Sequence, residues 1–237
     1  MFRYNTNSTD ITTTKRPYAL TVKAAKESAN ISKGNSKMPG STYAQDSFAC
    51  KVGSRLANVK GSVCESCYAR KIQRLRPSVN KGWTANYEKA TRLIATNPAQ
   101  WIDACVFQIK RIADKTGENY HRWFDSGDLD SVEQLDAIVA VACATPTIKH
   151  WLPTRELEIV RQWQAMRPAN RFPSNLVVRL SAPMVDSKPV KAAHTSTVHK
   201  HKAPHGYACP ARTQGNQCGD CRACWDVSVA NVSYPKH

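Results

Sequence analysis

Seven cysteines stand in two short stretches: Cys50, Cys64 and Cys67 in the first, and Cys209, Cys218, Cys221 and Cys224 in the second. Within the second, Cys218, Cys221 and Cys224 recur at every third position, with Cys209 nine residues upstream. Thiols strung so closely do not readily bridge one another, but each can reach a different iron of one inorganic cube. The C-x2-C-x2-C run is a known ligand spacing for such cubes. Pro210, Gly215, Asn216 and Gly219 interleave the run and let a loop wrap tightly. The chain is therefore expected to fold around this loop, with Cys209, Cys218, Cys221 and Cys224 holding a 4Fe–4S cluster. The rival is zinc, although structural zinc sites usually pair two C-x2-C knuckles across a longer gap.

The first group supplies only three thiols. Three ligands leave one iron of a cube open to a small molecule, unless a fourth ligand comes from elsewhere in the chain. An external chelator would need amine and carboxylate groups, and S-adenosylmethionine carries both. Zinc completed by a histidine is the alternative here. Lys51, Arg55, Lys60, Arg70 and Lys71 surround the segment, and positive neighbours favour thiolates and an anionic cluster. The number of clusters, one or two, depends on whether the two stretches meet in space. Cys105 and Cys143 fall on apolar faces of predicted helices and are expected in the core as small hydrophobes. His199, His201 and His205 lie in a basic, Pro-containing loop that reads as solvated rather than metal-binding.

Nine cysteines in all is an odd number, which a pure disulfide framework would leave unpaired. The first twenty residues contain no apolar h-region, so a reducing, cytoplasmic setting is expected, where clustered thiols usually mean metal or catalysis. No apolar run approaches the ~20 residues that span a bilayer, so no membrane partner is expected. A net charge of +16 favours an anionic partner such as nucleic acid, or an anionic cofactor; a solvated basic surface is the plainer reading.

Along the chain, residues 1–40 are rich in Ser, Thr, Asn and Lys and read as an extended or partly ordered arm. Residues 41–185 read as an α/β core that carries the first cysteine group, and 186–237 as a His-rich connector with the cluster-binding tail. Helical spacing is visible over 83–95 and over 98–114, the latter opened by Pro98. An alternation then follows: strand and turn over 121–128, helix over 132–144, strand over 148–156, helix through Met166, strand over 175–183. Strands alternating with helices imply parallel strands and right-handed crossovers. Polar residues gather at the predicted strand ends, where folds of this class place their sites. They are Asp125 and the turn Ser126-Gly127-Asp128, then Thr154, Arg155 and Glu156, then Arg179 and Ser181. Asp128, Arg155 and Arg179 are expected to contact a small ligand. The plainer readings are a helix cap for the turn and a surface ion pair for Arg155 and Glu156.

CESCYARK, the GDL turn, WLPTRE, NLVVRLSAP and the closing CGDCRACW together resemble the phage "gene product 88" family over roughly residues 30–237. That resemblance implies a phage-encoded protein working in the host cytoplasm, with a host protein as another partner class beside nucleic acid. The Cys-x-x-Cys-Tyr-Ala element with βα units behind it also resembles radical S-adenosylmethionine proteins. That likeness implies an incomplete (β/α) barrel and a 4Fe–4S cube on Cys50, Cys64 and Cys67. It also places Ser126, Gly127 and Asp128 near the amine of the cofactor. The expectation is thus a redox-active iron–sulfur protein; the alternative is a nucleic-acid-binding or host-interaction protein with purely structural clusters or zinc.

Overall fold

The computed structural model describes residues 20–34, 36–167 and 171–236. The strands are β1 (Ile31–Ser32), β2 (Ser41–Tyr43), β3 (Tyr120–Arg122), β4 (Lys149–Thr154), β5 (Leu176–Val185), β6 (Thr195–His199), β7 (Tyr207–Ala208) and β8 (Asn231–Pro235). They form one sheet in the order β1-β2-β3-β4-β5-β6-β8-β7. Among the described strands only the β1–β2 pair is antiparallel; Trp151 of β4 lies opposite Arg122 on one side and Val177 on the other. Among the described residues the row is open, with β1 and β7 at its edges. The α/β expectation holds as a mixed α/β fold with one mostly parallel sheet, and the row of strands does not close into the expected barrel among the described residues; strands from all three expected segments share it.

The helices are α1 (Val22–Ser28), α2 (Lys51–Leu56), α3 (Tyr68–Leu75), α4 (Pro77–Thr96), α5 (Pro98–Thr116), α6 (Val132–Ala144) and α7 (Leu157–Ala165). Caps set the ends of the long ones. Asn97 accepts from the Gln100 amide at the start of α5, and Gly117 closes that helix at φ +73, the left-handed stop that glycine adopts without strain. Ser131 accepts from the Gln134 amide to open α6, which buries Leu135, Ile138 and Val141. Cys105 of α5 is fully buried as expected, but Cys143 of α6 is exposed. At ~100° per residue, one step beyond buried Ala142 carries Cys143 past the edge of the apolar stripe.

Two other expectations change. The stretch assigned to an extended arm contains α1, capped by Thr21 and packed on α5, and also β1. Residues 1–19 and 35 of that arm lie outside the described residues. The connector contains β6, where Thr195, Ser196 and Thr197 are buried between β5 and β8. Parallel neighbours on both sides satisfy its backbone, although its polar sequence carries no apolar alternation. No helix among the described residues is long and apolar enough to cross a membrane.

Strand alternation divides the interior in two. Leu176, Val178 and Leu180 face the helices, together with Tyr43, His121, His150 and Leu152, whereas Trp151 belongs to a second cluster with Cys224, Trp225 and Val232. In the first core Trp101 stacks on Trp123 at 5.9 Å between ring centres, and Trp123 on His150 at 6.1 Å. Truncating one such buried indole removes roughly 3–5 kcal/mol.

The two imidazoles of this core are fully buried and must stay neutral. His150 Nδ1 accepts from Trp123 Nε1 at 3.2 Å, and its Nε2 lies 2.8 Å from Thr145 Oγ1, which donates onward to the Val141 carbonyl. A second proton would face the indole N–H, and burial holds the His150 pKa down to about 3. Burial first, and then the neighbouring His150, push His121 well below its usual 6.5. The unfolded chain therefore takes up these protons first as pH falls. The contribution of these imidazoles should be level above pH ~6.5 and stability should decline below it by roughly 1 kcal/mol per pH unit for each imidazole. Urea midpoints measured from about pH 7.5 to about pH 5 will show this; a level profile contradicts it.

Candidate functional site

The three thiols of the first group are delivered by two helix starts and a pinned loop. Cys50 precedes α2 and Cys67, with extended backbone, precedes α3; neither side chain caps its helix. Cys64 sits on a loop held against the end of β5, where Val63 donates to the Pro183 carbonyl at 2.9 Å and Val185 to Gly61 at 3.0 Å. Gly53 of α2 leaves the space between them open. A Cβ there would stand 3.7 Å from Cys64 Sγ, 3.8 Å from Cys50 Sγ and only 3.0 Å from Cys50 Cβ. Burial above all, and then the charges of Asp128, Cys67, Cys64 and Glu156, push the Cys50 thiol far up. Burial also raises Cys64, opposed by Arg155 and Arg70.

Of the strand-end residues, Asp128, Arg155 and Glu156 come together beside this group. Asp128 is buried: Oδ1 accepts from the Leu129 amide at 2.8 Å and from Thr154 Oγ1 at 2.6 Å, and Oδ2 from the Arg155 amide at 2.9 Å. Burial raises its pKa against those bonds. The plainer readings of the sequence do not hold here. Ser131, not Asp128, caps the helix after the turn, and Glu156 is buried, accepting from the Val52 amide of α2 at 2.8 Å. Gly127 has φ +84, and a Cβ there would meet Gln45 Cγ at 2.5 Å. Gln45 itself clamps the turn: its amide donates to the Ser126 carbonyl and its Nε2 to the Asp128 carbonyl at 2.7 Å. Nothing in its sequence context announced that role. Three buried polar atoms beside the group have no hydrogen-bond partner among the described residues: Ser126 Oγ, Arg155 Nε and Arg70 Nε.

The tail group lies on the opposite side of the sheet from the large helices. Cys209 donates its amide to Ser233 of β8, Cys218 to the Lys37 carbonyl, and Cys221 to Cys218. Cys224 lies in a 3-10 turn, Ala223–Trp225, whose Trp225 packs edge-on against Trp151 at 5.3 Å and Tyr120 at 5.4 Å. Trp225 Nε1 also donates to the His121 carbonyl at 2.9 Å, fixing the turn to β3. Two phenols touch sulfur: Tyr207 Oη is 3.3 Å from Cys221 Sγ, and Tyr234 Oη is 3.1 Å from Cys224 Sγ. Burial, the largest cause, pushes the Cys224 thiol up to about 12. Burial also raises Cys209 and Cys218, with a further push from the charge of neighbouring cysteines in the same group. The cysteine charges that raise a thiol come in each case from its own group. Among the described residues, no three His, Cys, Asp or Glu side chains converge on a single metal-ion position.

A family model described as Gene product 88 matches residues 14–227, a span that takes in both cysteine groups. The chain belongs to the Gene product 88 family. No curated protein and no solved structure matches it.

In this Gene product 88 chain Arg179, expected to contact a small ligand, has another task. It is fully buried on β5 and donates to the carbonyls of Cys224 at 3.0 Å and of Ala223, Asp226 and Val229 at 2.8 Å each. One planar guanidinium thus fixes the turn that carries Cys224. Replacing it by methionine, Arg179→Met, leaves several buried carbonyls without a donor at ~1–3 kcal/mol each. The expected loss is about 3–5 kcal/mol in denaturant unfolding, with hydrogen exchange accelerated first at residues 223–229. A variant of wild-type stability would show that the guanidinium is dispensable.

Proposed function

We propose that this Gene product 88 protein, encoded by a phage and acting in the host cytoplasm, is a redox-active iron–sulfur protein with a 4Fe–4S cluster at each cysteine group. The observation that carries the reading is the tail group: four thiols on one wrapped loop, each of the raised ones sensing the charge of at least one other, sealed by Trp151 and Trp225 and held by Arg179. Cys209, Cys218, Cys221 and Cys224 would hold one cube, for which four thiolates are the usual set. Cys50, Cys64 and Cys67 would hold the other on three. The space kept by Gly53 and the thiol-only donor sets fit such a group, and phenol contacts to sulfur are a known lever on its potential.

A cluster supplies one-electron redox capacity when bound. The chain's own part is to release the thiol protons that burial favours, so loading should improve as pH rises. Beside the three-thiol group, the unpartnered Ser126 Oγ, Arg155 Nε and Arg70 Nε suit a ligand bearing both an amine and a carboxylate. S-adenosylmethionine is the ligand we propose there, in a radical S-adenosylmethionine-like arrangement on a barrel-like sheet. Arg155 and Arg70 would take the carboxylate, and Ser126 and Asp128 the amine.

Anaerobic reconstitution should give a brown protein with about eight iron and eight sulfide per chain. Cys221→Ser should keep about half of that iron. Gly53→Ala should lower iron at the first group while the unloaded chain changes by no more than about 1 kcal/mol, since alanine favours a helix. The spectrum of the reduced first centre should change when S-adenosylmethionine is added. Colourless protein carrying stoichiometric zinc would reject the proposal.

A second reading rests on α3. Tyr68, Ile72 and Leu75 are exposed there beside the exposed Lys60, Lys71, Arg74 and Arg76, on a chain of net charge +16. This surface suits nucleic acid or an acidic host protein, with the cysteine groups as structural clusters or zinc sites. Binding to DNA or RNA through six to ten phosphates should weaken ~10³-fold or more between 50 and 200 mM salt. Salt-independent binding, or none, removes the nucleic-acid form of this reading.

A further inference from the structure

Arg122 stands between residues that neighbour the two cysteine groups and contacts one set on each side. It ends β3 on the side of the sheet that faces the tail. Toward the first group, its Nη1 lies 3.0 Å from the Asp125 carboxylate, and its guanidinium is beside the Tyr68 hydroxyl. That hydroxyl donates to the Asp125 carbonyl at 2.7 Å, and Tyr68 is bonded directly to Cys67. Toward the tail, the guanidinium lies 4.8 Å from the Trp151 ring centre. Trp151 in turn stacks on Tyr234 at 6.4 Å, and the Tyr234 hydroxyl meets Cys224 Sγ at 3.1 Å. Arg122 Nε is buried with no hydrogen-bond partner among the described residues. The cation interacts with Tyr68 and Asp125 on one side and with Tyr234, Cys224 and Cys218 on the other.

A charge in a buried place acts strongly on its neighbours because little water screens it. Arg122 is paired with Asp125; Arg155 and Arg70 act on the first group, and Arg179 and Arg222 on the tail group, but the contacts of Arg122 run toward both. We propose that Arg122 couples the two cysteine groups into one redox unit, in which the charge held at either group sets how readily the other accepts an electron. This rests on the iron–sulfur reading above. Each added electron makes its group more negative, and a nearby cation stabilises that state. Removing the cation therefore moves both potentials down. Unloading one group removes a negative neighbour and moves the other potential up. Such coupling is reciprocal by linkage.

The test is potentiometric titration of the anaerobically reconstituted full chain, with dithionite as reductant and electron paramagnetic resonance as readout. Arg122→Gln is expected to shift both midpoint potentials to more negative values. Arg122→Lys, which keeps the charge, should return most of that shift. Cys221→Ser, with the tail group unloaded, should move the first centre's potential to a more positive value; it decides the matter alone if Arg122→Gln fails to load. Two loaded centres with either potential unmoved in Arg122→Gln would overturn the coupling and leave the iron–sulfur reading intact. So would an unmoved first centre in Cys221→Ser. A wild-type chain that takes up no iron and sulfide sinks both.

Discussion

A parallel strand has two faces to bury, and in this protein the helices cover only one of them. Where β3, β4 and β5 turn their second face outward, Arg122, Trp151 and Arg179 would meet water unless another part of the chain came to cover them. The cysteine-rich tail is that part. Trp225 packs on Trp151 and Tyr120, and Arg179 meets the carbonyls of the same turn. The interaction is mutual. The sheet needs a cover, as parallel sheets generally do, and a loop with almost no apolar periodicity needs a rigid donor to hold its shape.

That single constraint places both cysteine groups. The first lies where β2, β3 and β4 end, held by links that run from loop to loop: Gln45 to the Ser126-Gly127-Asp128 turn, Asp128 to Thr154 and Arg155, Glu156 to the start of α2. The second lies beneath the middle of the sheet on its other face. β3 is the short strand common to both. Its His121 enters the helical core, its Arg122 enters the tail core, and the turn that follows it reaches the first thiols. The Gene product 88 match spans both groups, and the sheet accounts for how they are related in space.

The legible parts of the fold were those with both a period and a punctuation mark. Pro98 with Asn97, and Ser131 before an apolar stripe, give α5 and α6 nearly to the residue. The missed parts lacked one or the other. α1 has the sequence VKAAKES and owes its place to α5. β6 has the sequence TSTVH and is a strand because β5 and β8 flank it. Cys143 fell one residue outside the stripe that buries Cys105's counterpart positions on α6. Tyr207 stood two residues before Cys209, and a period-two reading of NVSYP would have aimed Tyr234 the same way as Val232. Both were visible as residues but not as partners of sulfur.

The sequence by itself determined the chemistry available and the local elements: seven thiols in two sets, parallel βα units, and polar residues at the strand ends. Those are properties of spacing and composition, which act within a few residues of one another. Only the tertiary structure decided which face of the sheet each polar residue occupies and what it meets there. A one-residue step along a strand reverses the side chain's direction, so Arg179 was legible as a strand residue but not as a clamp on a loop 44 residues further along the chain. The same step sends His121 and Arg122 to opposite cores, and so leaves one cation between two groups of cysteines that the sequence holds far apart.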